Sequence, residues 1–383
     1  MTRPSGPPDP ANKMVAAEIA FFAKALAGFA KSNAKFEVVC SVSRRHIFPP
    51  SSSPSSSTSL PSPLVPPARP QSQIHQLVVL DSSFNPPTLA HMKMATAALQ
   101  SLQARSLSSS PSTLPAPAPR STRLLLLLSV NNADKAPKPA AFEDRLALML
   151  AMARDTHAVL ASAANASPDY PDSSDSPDGV DSLGSLDSLD SLDIPIDIGL
   201  TSEPYFHNKS NAIAAAPFYT GPEPIPSAPD AKATPDQLFL IGYDTLIRIF
   251  DPKYYKASDV KDDTSAPTIP RGLPPSATPM QIALTPLMRR AHLRVTTRPD
   301  SDWGDEETQR SWVATHVDAL GGPTEHWAAR ISLDTGGAGT GASAVSSTVA
   351  REASRAHDTA RLEKLVGPAV LSWLEQRSPY DEV

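Results

Sequence analysis

Short, continuously apolar runs alternate with helical segments along this chain, and that alternation limits the possible folds most strongly. Residues 74–81 (IHQLVVLD) and 123–130 (RLLLLLSV) each predict a strand that is apolar on both faces and is followed by a helical pattern. Strands buried on both faces are typical of parallel sheets covered by helices. The same pattern continues in later segments at 196–200, 237–250, 292–298 and 329–334. The sequence therefore predicts an α/β protein with a Rossmann-like, doubly wound, mainly parallel sheet.

Proline- and serine-rich tracts divide the chain, which has 383 residues and 42 prolines. Residues 1–48 contain a predicted helix and a short strand, and are interpreted as an N-terminal helical extension. Residues 49–72 are Ser/Pro low complexity and predict a disordered linker. Residues 73–383 hold the predicted sheet domain. Disordered, low-complexity insertions rich in Pro, Ser and Asp are expected within this domain near residues 106–121, 162–193, 217–236 and 262–280.

Charge and cysteine content exclude several classes of function. The formal net charge is −6 and no basic cluster stands out, so binding of a nucleic acid polymer is not expected. Cys40 is the single cysteine, which excludes an internal disulfide and a multi-cysteine zinc site. No run reaches the roughly 18 apolar residues of a membrane span. We expect a cytoplasmic or nuclear location, or both, and the oligomeric state is left open.

The segment from Ser82 to His91 carries the first candidate site. An apolar strand ends there, a turn containing Asn85 and two prolines follows, and a helix opens with Thr88 and His91 on one face. Unpaired N–H groups and the positive end of the helix dipole favour phosphate at such a junction. The alternative is an ordinary capped helix with a surface histidine.

Two further segments also place ligand-binding residue types at a strand end or a helix start. Gly242 and Asp244 follow the strand-like run FLI, where a glycine lets a ligand approach the backbone and an aspartate accepts hydrogen bonds from ribose. A plain turn with a helix cap is the alternative. Ser346, Ser347 and Thr348 start a predicted helix over 346–366, with Arg351 one turn later. These residues predict an anion cradle, or only a helix cap.

Four motifs together resemble a known family. They are SSFNPPTLAH (82–91), FLIGYD (239–244), VTTRPD (295–300) and VSSTVAR (345–351). In the same order they are similar to motifs of the nucleotidylyltransferase superfamily, and most closely to those of the nicotinamide mononucleotide adenylyltransferases, in a divergent, fungal-type form. The resemblance makes residues 73–383 a nucleotidylyltransferase domain, and it implies adenylyl transfer from ATP to nicotinamide mononucleotide, with Mg²⁺ and without a resident metal site.

The resemblance also implies roles for individual residues. His91, Thr88 and Arg351 are the implied catalytic residues. The implied ATP-binding set is Ser82, Ser83, Phe84, Asn85, His91, Gly242, Asp244, Ser346, Ser347, Thr348 and Arg351. Lys135 stands where the family has a phosphate-binding lysine, and aromatic residues stack the nicotinamide ring. The implied acceptor-binding residues are Lys135, Tyr205, Phe206, Tyr254 and Tyr255.

This chain departs from the family at two positions. Ser82 replaces the first glycine of the first motif, and Ala90 replaces the glycine before His91. A side chain at either position crowds the path of the phosphates. Two alternatives therefore stay open beside transfer to nicotinamide mononucleotide. One is adenylyl or cytidylyl transfer to another phosphate acceptor, and the other is a nucleotide-binding or weakly ATP-hydrolysing interaction protein.

Overall fold

The structure is a computed structural model of the chain, and only part of the chain is described. The described ranges are 10–47, 66–108, 121–131, 140–165, 193–220, 234–256, 269–298, 303–321, 326–334 and 345–381. Parts of the predicted linker and of all four predicted insertions lie outside these ranges.

Seven strands of the described chain form one sheet. They are β1 (Phe36–Val42), β2 (Gln76–Asp81), β3 (Thr122–Ser129), β4 (Ile196–Thr201), β5 (Asp236–Gly242), β6 (Ala291–Thr296) and β7 (Ile331–Asp334). Their order is β1-β4-β3-β2-β5-β6-β7, and every pair is parallel except β1 with β4. The prediction of a Rossmann-like, mainly parallel sheet is therefore confirmed. The six parallel strands reverse their order between β2 and β5, and such a switch point is where open α/β sheets bind ligands.

Twelve α-helices belong to the described part of the chain. They are α1 (Pro10–Ser32), α2 (Arg44–Ile47), α3 (Leu89–Ser108), α4 (Phe142–Asn165), α5 (Phe206–Ala215), α6 (Tyr243–Ile249), α7 (Pro279–Arg290), α8 (Glu306–Trp312), α9 (Asp318–Gly321), α10 (Ser347–Arg355), α11 (Thr359–Leu362) and α12 (Pro368–Arg377). No helix in these ranges is both long enough and apolar enough to span a lipid bilayer.

Helices cover both faces of the sheet and create two apolar cores. Successive side chains of β2 alternate between them, so that Val78 and Leu80 face one core while Leu77 and Val79 face the other. The first core is closed by α1, α3, α4 and the helices after residue 346, and the second by α5 to α8. Burial on both faces explains why the strands are continuously apolar in sequence.

The N-terminal segment is integrated into the first core over residues 10–47. Strand β1 pairs antiparallel with β4, which makes it one edge of the sheet. Phe22 and Phe29 of α1 are buried in the first core, and Glu18 accepts a 2.7 Å hydrogen bond from Arg154 of α4. The interpretation of residues 1–48 as an N-terminal helical extension leaves open whether the helix packs on the sheet, because nothing in its sequence identifies a packing partner. The described part shares the core of the sheet.

The structure refines the sequence prediction in the regions that follow β5. The predicted helix over 346–366 breaks after Arg355, because His357 adopts a left-handed φ of 50° and Asp358 starts α11 by accepting a hydrogen bond from the Arg361 N–H. A π-helical turn at Val313–Val317 joins α8 to α9. The predicted loop over 262–280 ends in α7, where Thr278 and Gln281 form a capping box.

Candidate active site

The first two candidate segments lie side by side at the switch point of the sheet. Strand β2 ends at Asp81 and its neighbour β5 ends at Gly242, and the two strands run parallel. The segments that follow them therefore start at the same edge. After β2 the backbone turns sharply: Phe84 has a positive φ of 44° and the peptide bond from Asn85 to Pro86 is cis. Both Phe84 and Asn85 are buried, so the turn is fixed by its surroundings.

Hydrogen bonds on both ring nitrogens fix the orientation of His91. The Thr88 backbone N–H lies 3.1 Å from Nδ1 and the Thr88 hydroxyl lies 2.9 Å from it. A backbone N–H can only donate, so Nδ1 is the acceptor and the neutral ring carries its proton on Nε2. That Nε2–H lies 2.9 Å from the Ser82 hydroxyl oxygen, to which it donates. His91 thus presents one defined donor at the turn.

Burial lowers the pKa of His91 from 6.5 to about 4. Its desolvation disfavours the imidazolium, and the two donors that Thr88 directs at Nδ1 favour the neutral ring as well. His91 therefore acts at neutral pH as an uncharged hydrogen-bond donor, not as a cation.

The lowered pKa predicts how stability depends on pH. Between pH 6.5 and about 4 the unfolded chain binds a proton at His91 that the folded protein does not, so the unfolding free energy falls as pH falls through this window. We expect the wild-type protein to lose more stability between about pH 7.5 and pH 5 than His91→Gln does. Urea titrations of both proteins at the two pH values measure this. Equal losses would contradict the neutral assignment.

The start of α10 packs directly on this turn. The Ser347 hydroxyl donates to the Pro86 carbonyl at 2.8 Å, and Arg351 Nη1 donates to the Asn85 carbonyl at 2.7 Å. Ser346 caps the helix by accepting from the Val349 N–H at 3.3 Å. The structure therefore brings the first and third candidate segments together, although 266 residues separate Arg351 from Asn85.

Two helix starts and two arginines concentrate positive potential at this junction. Helices α3 and α10 both begin here, so two positive dipole ends face the turn. Arg351 Nη2 also donates to the Thr348 hydroxyl at 3.1 Å. Burial, together with the nearby charge of Arg351, lowers the pKa of Arg145 on α4. A bound anion would relieve the repulsion between the two guanidinium groups.

Tyr380, which follows α12, also contacts this turn, and no sequence motif predicts that contact. Its ring is buried and its hydroxyl donates to Asn85 Oδ1 at 3.0 Å. Burial raises the pKa of this hydroxyl, so it stays protonated at neutral pH. Tyr380 lies 295 residues from Asn85, so no local pattern could reveal the pairing. The tyrosine fixes the side chain at the centre of the turn.

Removal of the Tyr380 hydroxyl tests this contact. Tyr380→Phe leaves the buried Asn85 Oδ1 without that donor, and we expect the unfolding free energy to fall by about 1–2 kcal/mol. Urea denaturation with an unchanged slope measures the loss. A phenylalanine variant as stable as the wild type would show that the hydroxyl does not hold the turn.

The Gly242–Asp244 segment has free space beside the backbone of its glycine, and its aspartate is ion-paired. A Cβ built on Gly242 would meet no atom within 4 Å, so space is open beside the start of α6. Asp244 Oδ2 accepts from Arg298 Nη1 at 3.1 Å, and both side chains are more than one-third exposed. Arg298 belongs to the VTTRPD motif at the end of β6. Trp303, which is 43% exposed, lies near Tyr243 of the same helix, with ring centroids 6.5 Å apart.

Three of the predicted acceptor-binding aromatics form one group. Tyr205 stacks on His207 at 5.7 Å between centroids, and His207 in turn contacts Tyr255 at 5.4 Å. Tyr205 also lies 6.5 Å from Tyr254. Phe206 differs from these, because its ring packs edge-on against Phe239 of β5 and belongs to the margin of the second core.

The predicted phosphate-binding Lys135 lies outside the described residues. Another lysine lies at this edge: Lys209 of α5 is 5% exposed and forms an ion pair with Asp81, the last residue of β2. Within the described ranges, no three His, Cys, Asp or Glu side chains are grouped so as to hold a metal ion.

The fold and this site define a Rossmann-like α/β protein that gathers two helix starts and several hydrogen-bond donors at the switch point of its sheet. No protein-family model matches the sequence. The chain is 24% identical over 306 residues, 79% of its length and 86% of the relative's, to a Schizosaccharomyces pombe protein named "Putative nicotinamide mononucleotide adenylyltransferase". The predicted resemblance is therefore confirmed as a similarity: the chain resembles, at 24% identity, a protein that carries this family's name.

Two solved structures are also similar to the chain. Both are of Plasmodium falciparum nicotinic acid mononucleotide adenylyltransferase, one complexed with APC and one with NaAD. They cover 80% of this chain and 98% of their own, at 11% and 12% identity and TM-scores of 0.38 and 0.35. At these scores the fold assignment rests on the strand order of the sheet itself.

Proposed function

We propose that the protein is an adenylyltransferase that moves AMP from ATP to nicotinamide mononucleotide, giving NAD and pyrophosphate. The observation that carries this proposal is the convergence of His91, Arg351 and the first turns of α3 and α10 on the turn after β2. These groups are the kinds of donors that bind a polyphosphate. The relative in fission yeast supports the choice of reaction.

In this proposal the triphosphate of ATP lies over the turn between the two helix starts. Arg351 bridges Asn85 and Thr348 with two of its nitrogens, which leaves the guanidinium held in one plane for bidentate contact with phosphate oxygens. Thr88 acts through His91, because its N–H and hydroxyl both lie against Nδ1. The Leu89 N–H donates to the Leu365 carbonyl, so the remaining N–H groups of the first turn of α3 supply the further donors to phosphate. Ser346, Ser347 and Thr348 bind the other end of the triphosphate, and Ser83, Phe84 and Asn85 shape the turn.

The transfer step needs positioning and charge stabilisation and no covalent enzyme intermediate. A phosphate oxygen of nicotinamide mononucleotide attacks the α-phosphorus of ATP in line, the bond to the β,γ-diphosphate breaks, and pyrophosphate leaves. His91 donates through Nε2–H to the transferring phosphoryl group, where negative charge builds in the transition state. A neutral donor does this without needing a proton from solvent.

We propose that Mg²⁺ arrives with ATP and stays on its phosphates. Magnesium keeps several waters when phosphates supply its other ligands. The carboxylates at the end of β2 and in the first turn of α6 are already paired, Asp81 with Lys209 and Asp244 with Arg298. This pairing fits a metal held by substrate oxygens. The adenosine ribose lies beside Gly242 and Asp244, where open space adjoins the start of α6.

For the acceptor, we propose that the nicotinamide ring stacks on the group formed by Tyr205, Tyr254 and Tyr255. Aromatic faces bind such a ring through dispersion and, for a pyridinium, through cation–π attraction. Lys135 is the proposed ligand of the acceptor phosphate. Phe206 is the weakest member of this set because it packs against Phe239.

The decisive experiment incubates the purified full chain with MgATP and nicotinamide mononucleotide and measures NAD by mass spectrometry. Parallel reactions contain nicotinic acid mononucleotide or other phosphate acceptors, with pyrophosphate release as the common readout. Formation of NAD supports the proposal. Pyrophosphate release with a different acceptor only would assign another transferase reaction. ATP binding or phosphate release without any dinucleotide would assign a nucleotide-binding or hydrolysing protein and refute transfer.

A further inference from the structure

Ser82 makes a contact that a glycine at the same position could not make. Its hydroxyl oxygen lies 2.9 Å from His91 Nε2, and its backbone N–H donates to the Leu127 carbonyl of β3 at 3.3 Å. The backbone bond fixes Ser82 to the sheet, and the hydroxyl then reaches the imidazole from there. Ser82 is partly buried, so this hydrogen bond is only partly exposed to competition from water.

His91 has a single donor for this contact. Thr88 directs both its backbone N–H and its hydroxyl at Nδ1, so the ring proton is on Nε2 and the ring cannot turn without losing both bonds. The Nε2–H has one strong acceptor at a time along its axis. If it serves a phosphate oxygen, it must give up the Ser82 hydroxyl.

We propose that the Ser82 hydroxyl takes the place of a phosphate oxygen on His91 in the ligand-free protein, and that ATP binding displaces it. This inference rests on the proposed function, since it assigns the competitor of the phosphate at that same site. Ser82 is then a positioning and affinity-setting residue. Its hydroxyl orients the imidazole in the ligand-free protein. Because this hydrogen bond must break when ATP binds, its free energy weakens the affinity for ATP.

The free energies of the two states give the sign of the effect. Ser82→Ala removes a hydrogen bond from the ligand-free protein and none from the complex, so ATP should bind more tightly. A neutral hydrogen bond of this kind corresponds to about a 3- to 10-fold change in Kd. His91 makes its phosphate contact in both the ground state and the transition state, so KM should fall while kcat stays close to the wild-type value.

The test measures Kd for MgATP by titration calorimetry in the wild-type protein, Ser82→Ala and Ser82→Gly. Ser101→Ala is the matched control, because Ser101 lies on α3 and donates only to the Ala97 carbonyl of its own helix. We expect about 3- to 10-fold tighter binding in both Ser82 variants and no change in the control. Thermal denaturation of each variant shows that it is folded.

A double-mutant cycle with His91→Ala isolates the exchange from other effects. Without the imidazole, Ser82→Ala should leave the Kd for MgATP unchanged within about twofold. Weaker or unchanged binding in Ser82→Ala would overturn the inference, because the hydroxyl would then contact the phosphate or coexist with it. Tighter binding in Ser82→Gly alone would also overturn it, since crowding by Cβ would be the cause. A wild-type protein that binds no MgATP would refute the proposed function itself.

Discussion

Replacement of His91 by alanine is expected to lower kcat for adenylyl transfer by at least about 100-fold, with a much smaller effect on KM for ATP. The size corresponds to the loss of one preorganised donor to the charge that develops in the transition state. His91 is suited to that role because Thr88 fixes the ring and because burial lowers its pKa to about 4, so its Nε2–H is present at all physiological pH values. Steady-state kinetics at neutral pH measure the effect.

His75→Ala is the matched control for this experiment. His75 is exposed at the opposite end of β2, and its backbone rather than its side chain joins the neighbouring strands. Its replacement should leave kcat within about twofold of the wild-type value. Turnover of His91→Ala close to that of the control would remove His91 from the chemistry, whatever happens to ATP affinity.

Replacement of Arg351 by alanine is expected to lower kcat/KM for ATP by about 10- to 100-fold. A hydrogen bond to a charged group contributes about 1.5–3 kcal/mol, and Arg351 also fixes the turn through the Asn85 carbonyl. Lysine keeps the charge but has one nitrogen in place of the planar fork that contacts Asn85 through Nη1 and Thr348 through Nη2, so Arg351→Lys should restore only part of the loss.

Arg361→Ala, which removes an exposed arginine from α11, separates this site effect from a general change in charge. It should leave kcat/KM unchanged. Equal losses in Arg351→Ala and Arg361→Ala would mean that overall charge, and not the guanidinium at the turn, controls ATP binding. Full activity in Arg351→Lys would show that the fork geometry of arginine is not needed.

Local sequence patterns were enough to predict the parallel strands. Continuous apolarity identified the central strands β2 and β3, because a strand buried on both faces has no polar side to interrupt the run. The candidate residues Ser82, Thr88 and His91 were recognisable for a related reason. They fall within ten residues of a strand end, so the local order of strand, turn and helix already fixes their relative positions.

Long-range contacts could not be predicted in this way. The bond from Tyr380 to Asn85 depends on how α12 packs against α4, and nothing near either residue in sequence indicates it. The neutral state of His91 follows from burial in the folded protein, which composition alone does not reveal. The break at His357 could not be predicted because the apolar periodicity continues across it, whereas the positive φ of His357 and the cap by Asp358 end one helix and start the next.

The positions of Arg351 and Tyr380 have a consequence for synthesis of the protein. Strand β2 and its turn leave the ribosome early, whereas the residues that clamp that turn follow some 266 and 295 positions later. A nascent or truncated polypeptide that stops before residue 345 would contain the whole first motif but neither clamp. Under the proposed function, nucleotide binding should therefore be among the last properties that a growing chain acquires, and short translation products should not compete for ATP.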